Sequence, residues 1–261
     1  MSHRESGAKL EVVYGIHAVT ETLGRRAVDY LMVTEGQGNP RVQEIIDLCR
    51  ARGIGVRFAP RPAVERLAGS PQHQNVVAVC TPRLYDDLET LLAQPTPLLL
   101  AALDGVEDPA NLGAIVRTAV AAGGVGILIP ERRAAGLSPA VARASAGALE
   151  HAKVARVPNL VRALEEMKER GVWVYGFEAQ AAKSYLDLDY TRGCALVLGG
   201  EGAGLHRLVR QACDELAHIP LRGPVPSLNV SVAAAIVIYE ALRQRSTREG
   251  RNSKFEIRNP S

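Results

Sequence analysis

Residues 98–103 form an unbroken apolar run, Leu-Leu-Leu-Ala-Ala-Leu. A short run without polar alternation fits a strand buried on both faces of a parallel sheet. The next residues extend it into a unit. Asp108 and Pro109 have the form of a helix start, a capping carboxylate followed by a first-turn proline. Helical spacing from about residue 111 closes at Gly123 and Gly124, and residues 125–129 read as the next strand. Strand, helix and strand in that order make a βαβ unit, which commits this part of the chain to an α/β fold with helices over a parallel sheet.

The same pattern continues downstream. Strands are expected at 154–157, 172–177, 195–198 and 215–219, with helices at 140–149, 160–170, 205–213 and 229–245. The last helix carries Val230, Val232, Ala233, Ala234, Ala235, Ile236, Val237 and Ile238, so it is apolar on nearly every face. Such a helix is buried all round, inside a domain or at a subunit interface. Upstream lies a smaller α/β unit, with strands expected at 12–15, 28–34, 56–59 and 75–79 and helices at 16–26, 42–52 and 63–68. Residues 84–97, with prolines and the acidic patch Asp86, Asp87 and Glu89, read as a linker that includes a short helix. The expected organisation is a small domain over 1–83, a linker over 84–97, a larger domain over 98–245 and a flexible polar tail over 246–261.

Composition narrows the class. The 261 residues are 47% apolar and 23% charged, as in globular proteins. The longest strongly apolar stretch, 230–239, is far short of the ~20 residues that span a bilayer, and the N-terminal residues show no apolar signal core. A cytoplasmic protein without membrane association is expected. Cys49, Cys80, Cys194 and Cys213 form no CxxC pair and the six histidines no HExxH, so neither a disulfide framework nor a metal site is expected. Residues 1–83 hold 11 Lys and Arg against 8 Asp and Glu, which accounts for the net charge of +3. That placement suits contact with a phosphate backbone and equally suits an ordinary solvated surface.

Three stretches place polar residues on loops directly after apolar runs: 104-DGVEDPANLGAIVR-117, 198-LGGEGAGL-205 and 219-IPLRGPVPSLNVSVA-233. Loops at strand ends in an open α/β sheet gather at one edge, so the three are expected to build one composite site. In the first, Asn111 can hold a ribose or phosphate oxygen and Arg117 can meet a phosphate, although a capped helix with a surface arginine would look the same. The second carries glycines on both sides of Glu201 but matches neither GxGxxG nor a P-loop, and a carboxylate would repel a bound phosphate. It suits close approach of backbone to an adenosine-like ligand. In the third, Ser227 or Asn229 can cap the long helix, and one cap is enough. Two such residues at a positive helix end also suit an anion or a cofactor carboxylate.

Taken together and in order, the three stretches resemble the three motifs of the SpoU/TrmH (SPOUT) family of S-adenosylmethionine-dependent RNA ribose 2′-O-methyltransferases. The likeness spans about residues 97–245. It extends to 13-VYGIHAV-19 and 73-HQNVVAV-79, which resemble the RNA-binding domain of the bacterial subgroup acting on 23S rRNA guanosine. Asn75 departs from that subgroup, which more often has glycine after His-Gln.

The resemblance implies a C-terminal domain with a deep trefoil knot, a homodimer with the active site near the subunit interface, and S-adenosylmethionine as cofactor. Gly199, Ile219 and Leu228 match the family's cofactor contacts; Asn111, Arg117, Glu201, Ser227 and Asn229 match its catalytic set. In that set Arg117 meets the RNA phosphate and the 2′-oxygen, Asn111 and Asn229 orient groups around it, Glu201 holds Arg117 or Asn111, and Ser227 assists through a hydrogen bond. Two alternatives stay open: a tRNA 2′-O-methyltransferase of the same fold, and an rRNA-binding protein without catalysis.

Overall fold

The computed structural model describes residues 10–200 and 204–256. In chain order the first elements are β1 (Glu11–Tyr14), α1 (Ile16–Arg25), β2 (Val28–Thr34), α2 (Pro40–Ala51), β3 (Gly55–Ala59), α3 (Arg61–Ala68) and β4 (Val76–Cys80). They continue with α4 (Leu88–Leu92), β5 (Leu99–Asp104), α5 (Pro109–Ala121), β6 (Gly126–Pro130), α6 (Pro139–Ala144), β7 (Val154–Val157), α7 (Leu160–Glu169) and β8 (Trp173–Phe177). The last are β9 (Lys183–Ser184), β10 (Cys194–Gly199), α8 (Arg207–Ala212), β11 (Glu215–His218) and α9 (Val230–Glu256). The described residues fall into two units, one reaching to Leu84 and including Gly136–Glu150, the other made of Tyr85–Ala135 and the residues from His151 onward.

In the first unit the sheet order is β1-β4-β2-β3. β4 runs antiparallel to both its neighbours, and β3 is parallel to β2. Every residue of β4 is buried, as its β-branched run requires. The turn before it holds Gln74 and Asn75 at φ 51° and 63°. That left-handed region favours glycine and tolerates asparagine, which is how the turn accommodates Asn75.

The helix expected at 140–149 ends early, at Ala144. Ala146 and Gly147 turn to positive φ, and a Cβ on Gly147 would lie 2.9 Å from the carbonyl oxygen of His17. After this break a 3₁₀ turn over Ala148–His151 carries Glu150 inward. Its Oε1 accepts from Arg26 Nη2 at 2.8 Å and from Thr22 Oγ1 at 3.3 Å, while Arg26 Nη1 donates to Glu11 at 2.8 Å. The Glu150 side chain is 2% exposed. Removing one partner of a buried ion pair costs about 3–5 kcal/mol. Arg26→Ala should therefore lower the urea midpoint of this unit sharply; an unchanged midpoint would contradict the buried pairing.

The second unit is built on a seven-stranded sheet, ordered β7-β6-β5-β10-β8-β11-β9, in which every pair is parallel. β5 and β10 lie at its centre, and β5 is buried along its whole length. Residues 85–97 differ from the expected linker because they pack into this unit. Asp86 N–H donates to the Val154 carbonyl at 2.8 Å, Asp87 caps α4 by accepting from Thr90 N–H at 2.7 Å, and Leu91 is buried in the same core cluster as Leu128 and Val174.

α9 also differs from expectation. It runs past residue 245 to Glu256, through residues expected in a flexible tail. Extending a formed helix is inexpensive, and no proline interrupts the chain before Pro260. Residues 257–261 of that tail lie outside the described residues. Nor does its own chain enclose α9 on every face: Val232 and Tyr239 are 47% and 51% exposed, so of the two expected settings the interior of the domain does not hold. Among the described residues no helix is long and apolar enough to cross a membrane.

The four cysteines are free thiols. Burial pushes Cys80 up to about 11 and Cys194 and Cys213 up to about 12. An unfolded thiol titrates near 8.5, so the stability tied to these groups is complete below about pH 8.5 and lost as pH rises toward their folded values. The thiolate is the reacting species. Iodoacetamide at pH 8 should label these three slowly in the native protein and quickly after unfolding; rapid native labelling would contradict the burial.

Candidate active site

The sheet register brings the first two loops together. Leu103 pairs with Leu198 and Asp104 with Gly199, so β5 and β10 end side by side. β8 and β11 end at the same edge, since Leu198 pairs with Phe177 and Phe177 with Ala217. Beyond the strands the loops press against each other. Gly200 N–H donates to the Asp104 carbonyl at 2.7 Å, and a Cβ on Gly200 would lie 1.9 Å from the Gly105 carbonyl oxygen. A Cβ on Gly199 would meet the backbone of Gly204 at 2.2 Å. Only glycine fits at either position.

The third loop joins them through one amide. Asn229 Oδ1 accepts from Ser231 N–H at 2.9 Å and from Ser231 Oγ, which caps α9. Its Nδ2 donates to Asn111 Oδ1 at 2.9 Å. Asn111 sits in the first turn of α5, buried, behind the Asp108 cap whose Oδ1 accepts from Ala110 N–H at 2.9 Å. Capping and site-building are thus not alternatives for Asn229. The same side chain does both, and the cap fixes which way its amide points.

Two adjoining cavities result. The larger, about 870 Å³, is lined by Gly199, Ile219, Ser227, Leu228 and Asn229 together with Leu198. The smaller, about 400 Å³, is lined by Asp104, Glu107, Asn111, Arg133 and His206. Gly200, Gly204 and Val230 belong to both walls. The structure therefore brings together Asn111, Gly199, Ile219, Ser227, Leu228 and Asn229. It does not bring Arg117 to either cavity: that side chain is exposed on α5. Glu201 lies outside the described residues. Among the described residues no group of three or more His, Cys, Asp or Glu side chains is placed to hold a metal.

The larger cavity fits S-adenosylmethionine. Its volume lies in the ~300–1,000 Å³ range of small-molecule sites. Leu198, Ile219, Leu221 and Leu228 offer apolar walls to an adenine ring, and Gly199 and Gly200 expose backbone that any side chain would cover. Glu178, paired with Arg210 at 3.0 Å, supplies a carboxylate on the same wall for hydroxyl or ammonium groups.

One cluster has no assigned role in the sequence motifs, although Asp104 opens the first of them. Asp104, 5% exposed, accepts from His206 backbone N–H at 2.7 Å and contacts His206 Nδ1 at 2.9 Å. His206 Nε2 lies 3.2 Å from Arg133 Nη1. Gly105, at φ 78°, lets the ring lie against the backbone, since a Cβ there would be 3.3 Å from His206 Cε1. Asp104 and His206 are 102 positions apart and share no spacing pattern. The one local signal was a carboxylate ending an otherwise apolar strand.

The sequence profile of the SpoU rRNA methylase family matches residues 98–239. The chain belongs to that family. A second profile, for RNA 2′-O ribose methyltransferase substrate binding, matches residues 12–85 of this SpoU methylase. Among curated relatives, the TrmH-family protein YacO of Bacillus subtilis is 44% identical over 244 residues, covering 90% of this chain and 96% of YacO. The 23S rRNA (guanosine-2′-O-)-methyltransferase RlmB of Xylella fastidiosa is 42% identical over 244 residues, covering 91% of this chain and 98% of that protein. The crystal structure of the SpoU methyltransferase AviRb from Streptomyces viridochromogenes, in complex with AdoMet, matches with a TM-score of 0.75 at 26% identity over 90% of each chain. This SpoU methylase is accordingly an S-adenosylmethionine-dependent RNA methyltransferase.

Proposed function

We propose that this chain methylates the ribose 2′-oxygen of a guanosine in 23S rRNA, in the cytoplasm, as a homodimer whose two active sites each draw on both subunits. The observation that carries the reading is the Asn229–Asn111 hydrogen bond at 2.9 Å, which joins the first and third loops where the two cavities share a wall. The larger cavity takes the cofactor, with Gly199, Ile219 and Leu228 as its contacts. When bound, S-adenosylmethionine supplies a methyl group on a positively charged sulfur, the electrophile for an in-line displacement.

The protein's own residues act on the nucleophile. A ribose hydroxyl is weakly acidic, so it must be oriented and its developing negative charge stabilised. Asn111 and Asn229, locked to each other, orient the ribose, and Ser227 hydrogen-bonds beside them. Arg117 meets the RNA phosphate and the 2′-oxygen, and Glu201 holds Arg117 or Asn111 in place.

Because Arg117 lines neither cavity of its own chain, it is assigned to the partner copy's site. The exposed Val232 and Tyr239 on α9, with Ile236 half-buried between them, are a face that a second copy would cover. A trefoil knot in these loops belongs to the same reading and rests on the family match over residues 98–239. RNA capture falls to residues 1–83, whose excess of Lys and Arg suits a phosphate backbone.

Mass mapping of 2′-O-methylated nucleotides in RNA from cells with and without the protein tests this reading. One 23S guanosine should lose its ribose methyl when the protein is absent. Loss confined to tRNA, or no loss, would contradict it.

A further inference from the structure

The smaller cavity, which none of the proposed cofactor contacts Gly199, Ile219 and Leu228 lines, has the chemistry of a guanine pocket. It adjoins the cofactor cavity through Gly200, Gly204 and Val230, so a base seated there belongs to a nucleotide whose ribose lies at the shared wall, beside Asn111 and Asn229. Its polar groups come in two kinds. Arg133 brings a guanidinium, and Glu107 an exposed carboxylate. Asp108, also on the wall, is committed to capping α5.

Guanine presents two adjacent acceptors, O6 and N7, which a guanidinium meets side by side. It also presents two adjacent donors, N1–H and the 2-amino group, which one carboxylate can accept together. No other RNA base carries both pairs. Adenine and uracil lack the adjacent donor pair, and cytosine has only its amino group.

Arg133 is also held for such a task. A proton on His206 Nδ1 donates to the buried Asp104, which leaves Nε2 to accept from Arg133 Nη1 at 3.2 Å. Asp104 additionally accepts the His206 backbone N–H, so the ring is fixed at two points. The chain Asp104–His206–Arg133 thus orients a guanidinium at the cavity wall.

We infer that this cavity reads the guanine of the target nucleotide, with Arg133 on O6 and N7, Glu107 on N1–H and the 2-amino group, and His206 positioning Arg133. This rests on the proposed methylation of a guanosine ribose. The experiment uses the full-length protein and a 23S rRNA fragment carrying the guanosine located by mass mapping, made with guanosine, inosine or 7-deazaguanosine at that position. A bidentate base contact is worth about tenfold or more in discrimination.

Wild-type protein should therefore methylate guanosine about tenfold faster, in kcat/KM, than inosine, which lacks the 2-amino group. Glu107→Gln should lower the guanosine rate more than the inosine rate, because inosine keeps N1–H but lacks the 2-amino donor, so that the ratio falls toward one. Arg133→Ala should abolish the difference between guanosine and 7-deazaguanosine. His206→Ala should weaken that same difference while keeping the guanosine-to-inosine ratio, a signature that general destabilisation would not give. Equal wild-type rates on guanosine and inosine, or an intact ratio in Glu107→Gln, would overturn the pocket while leaving methyl transfer standing. No transfer to the guanosine fragment at all would overturn both.

Discussion

Gly200→Ala should weaken S-adenosylmethionine binding by about 10- to 100-fold while leaving the first unit folded. Its Cβ would lie 1.9 Å from the Gly105 carbonyl oxygen, and that neighbour is backbone, which cannot rotate aside as a side chain can. Overpacking of this kind costs about 1–3 kcal/mol, and each 1.4 kcal/mol is a factor of ten. The strain falls where Gly200 N–H bonds the Asp104 carbonyl, so it spreads the loops after β5 and β10 and opens the wall common to both cavities. Titration calorimetry measures the affinity directly, and chemical denaturation shows whether the fold survives. Wild-type affinity in the variant would mean that the loop contact does not shape the cofactor cavity.

The second large effect concerns a residue that touches neither cavity. Arg117→Ala should reduce methyl transfer by about 10²–10³-fold, the usual loss on removing a group that stabilises developing negative charge, with cofactor affinity unchanged. Mixing this variant with Gly200→Ala, at S-adenosylmethionine too dilute to load the weakened site, then tests where the arginine acts. In a heterodimer of Arg117→Ala with Gly200→Ala, one subunit has intact cofactor loops and the other an intact Arg117. If the site is shared, each heterodimer regains one working site. Random mixing should restore about a quarter of wild-type activity, as expected for a symmetric dimer. An arginine acting within its own chain would give no recovery.

Sequence patterning made the architecture legible where burial is one-dimensional. Residues 98–103 read as a doubly buried strand, and β5 does lie buried beside β10 at the centre of a parallel sheet. The ordered motifs located Asn111, Gly199, Ile219, Ser227, Leu228 and Asn229, which the structure draws into adjoining walls. The features that stayed hidden depend on contacts with no local signature. The pairing of Asp104 with His206 joins residues from different loops, and the inward turn of Glu150 comes from Gly147 packing against α1. The length of α9 is hidden for a related reason. The polar composition after residue 245 reads as tail, yet a helix already nucleated by a buried segment continues through it.

Methyl transfer by the purified protein remains the plainest test of the composite site. The protein is incubated with methyl-labelled S-adenosylmethionine and 23S rRNA, the RNA is digested to nucleosides, and the labelled species is identified by mass spectrometry. The label should appear in 2′-O-methylguanosine with wild-type protein and be lost with Asn111→Ala, which removes one side of the Asn111–Asn229 bond. Label on a base, or undiminished ribose methylation by Asn111→Ala, would contradict a site built from the three loops.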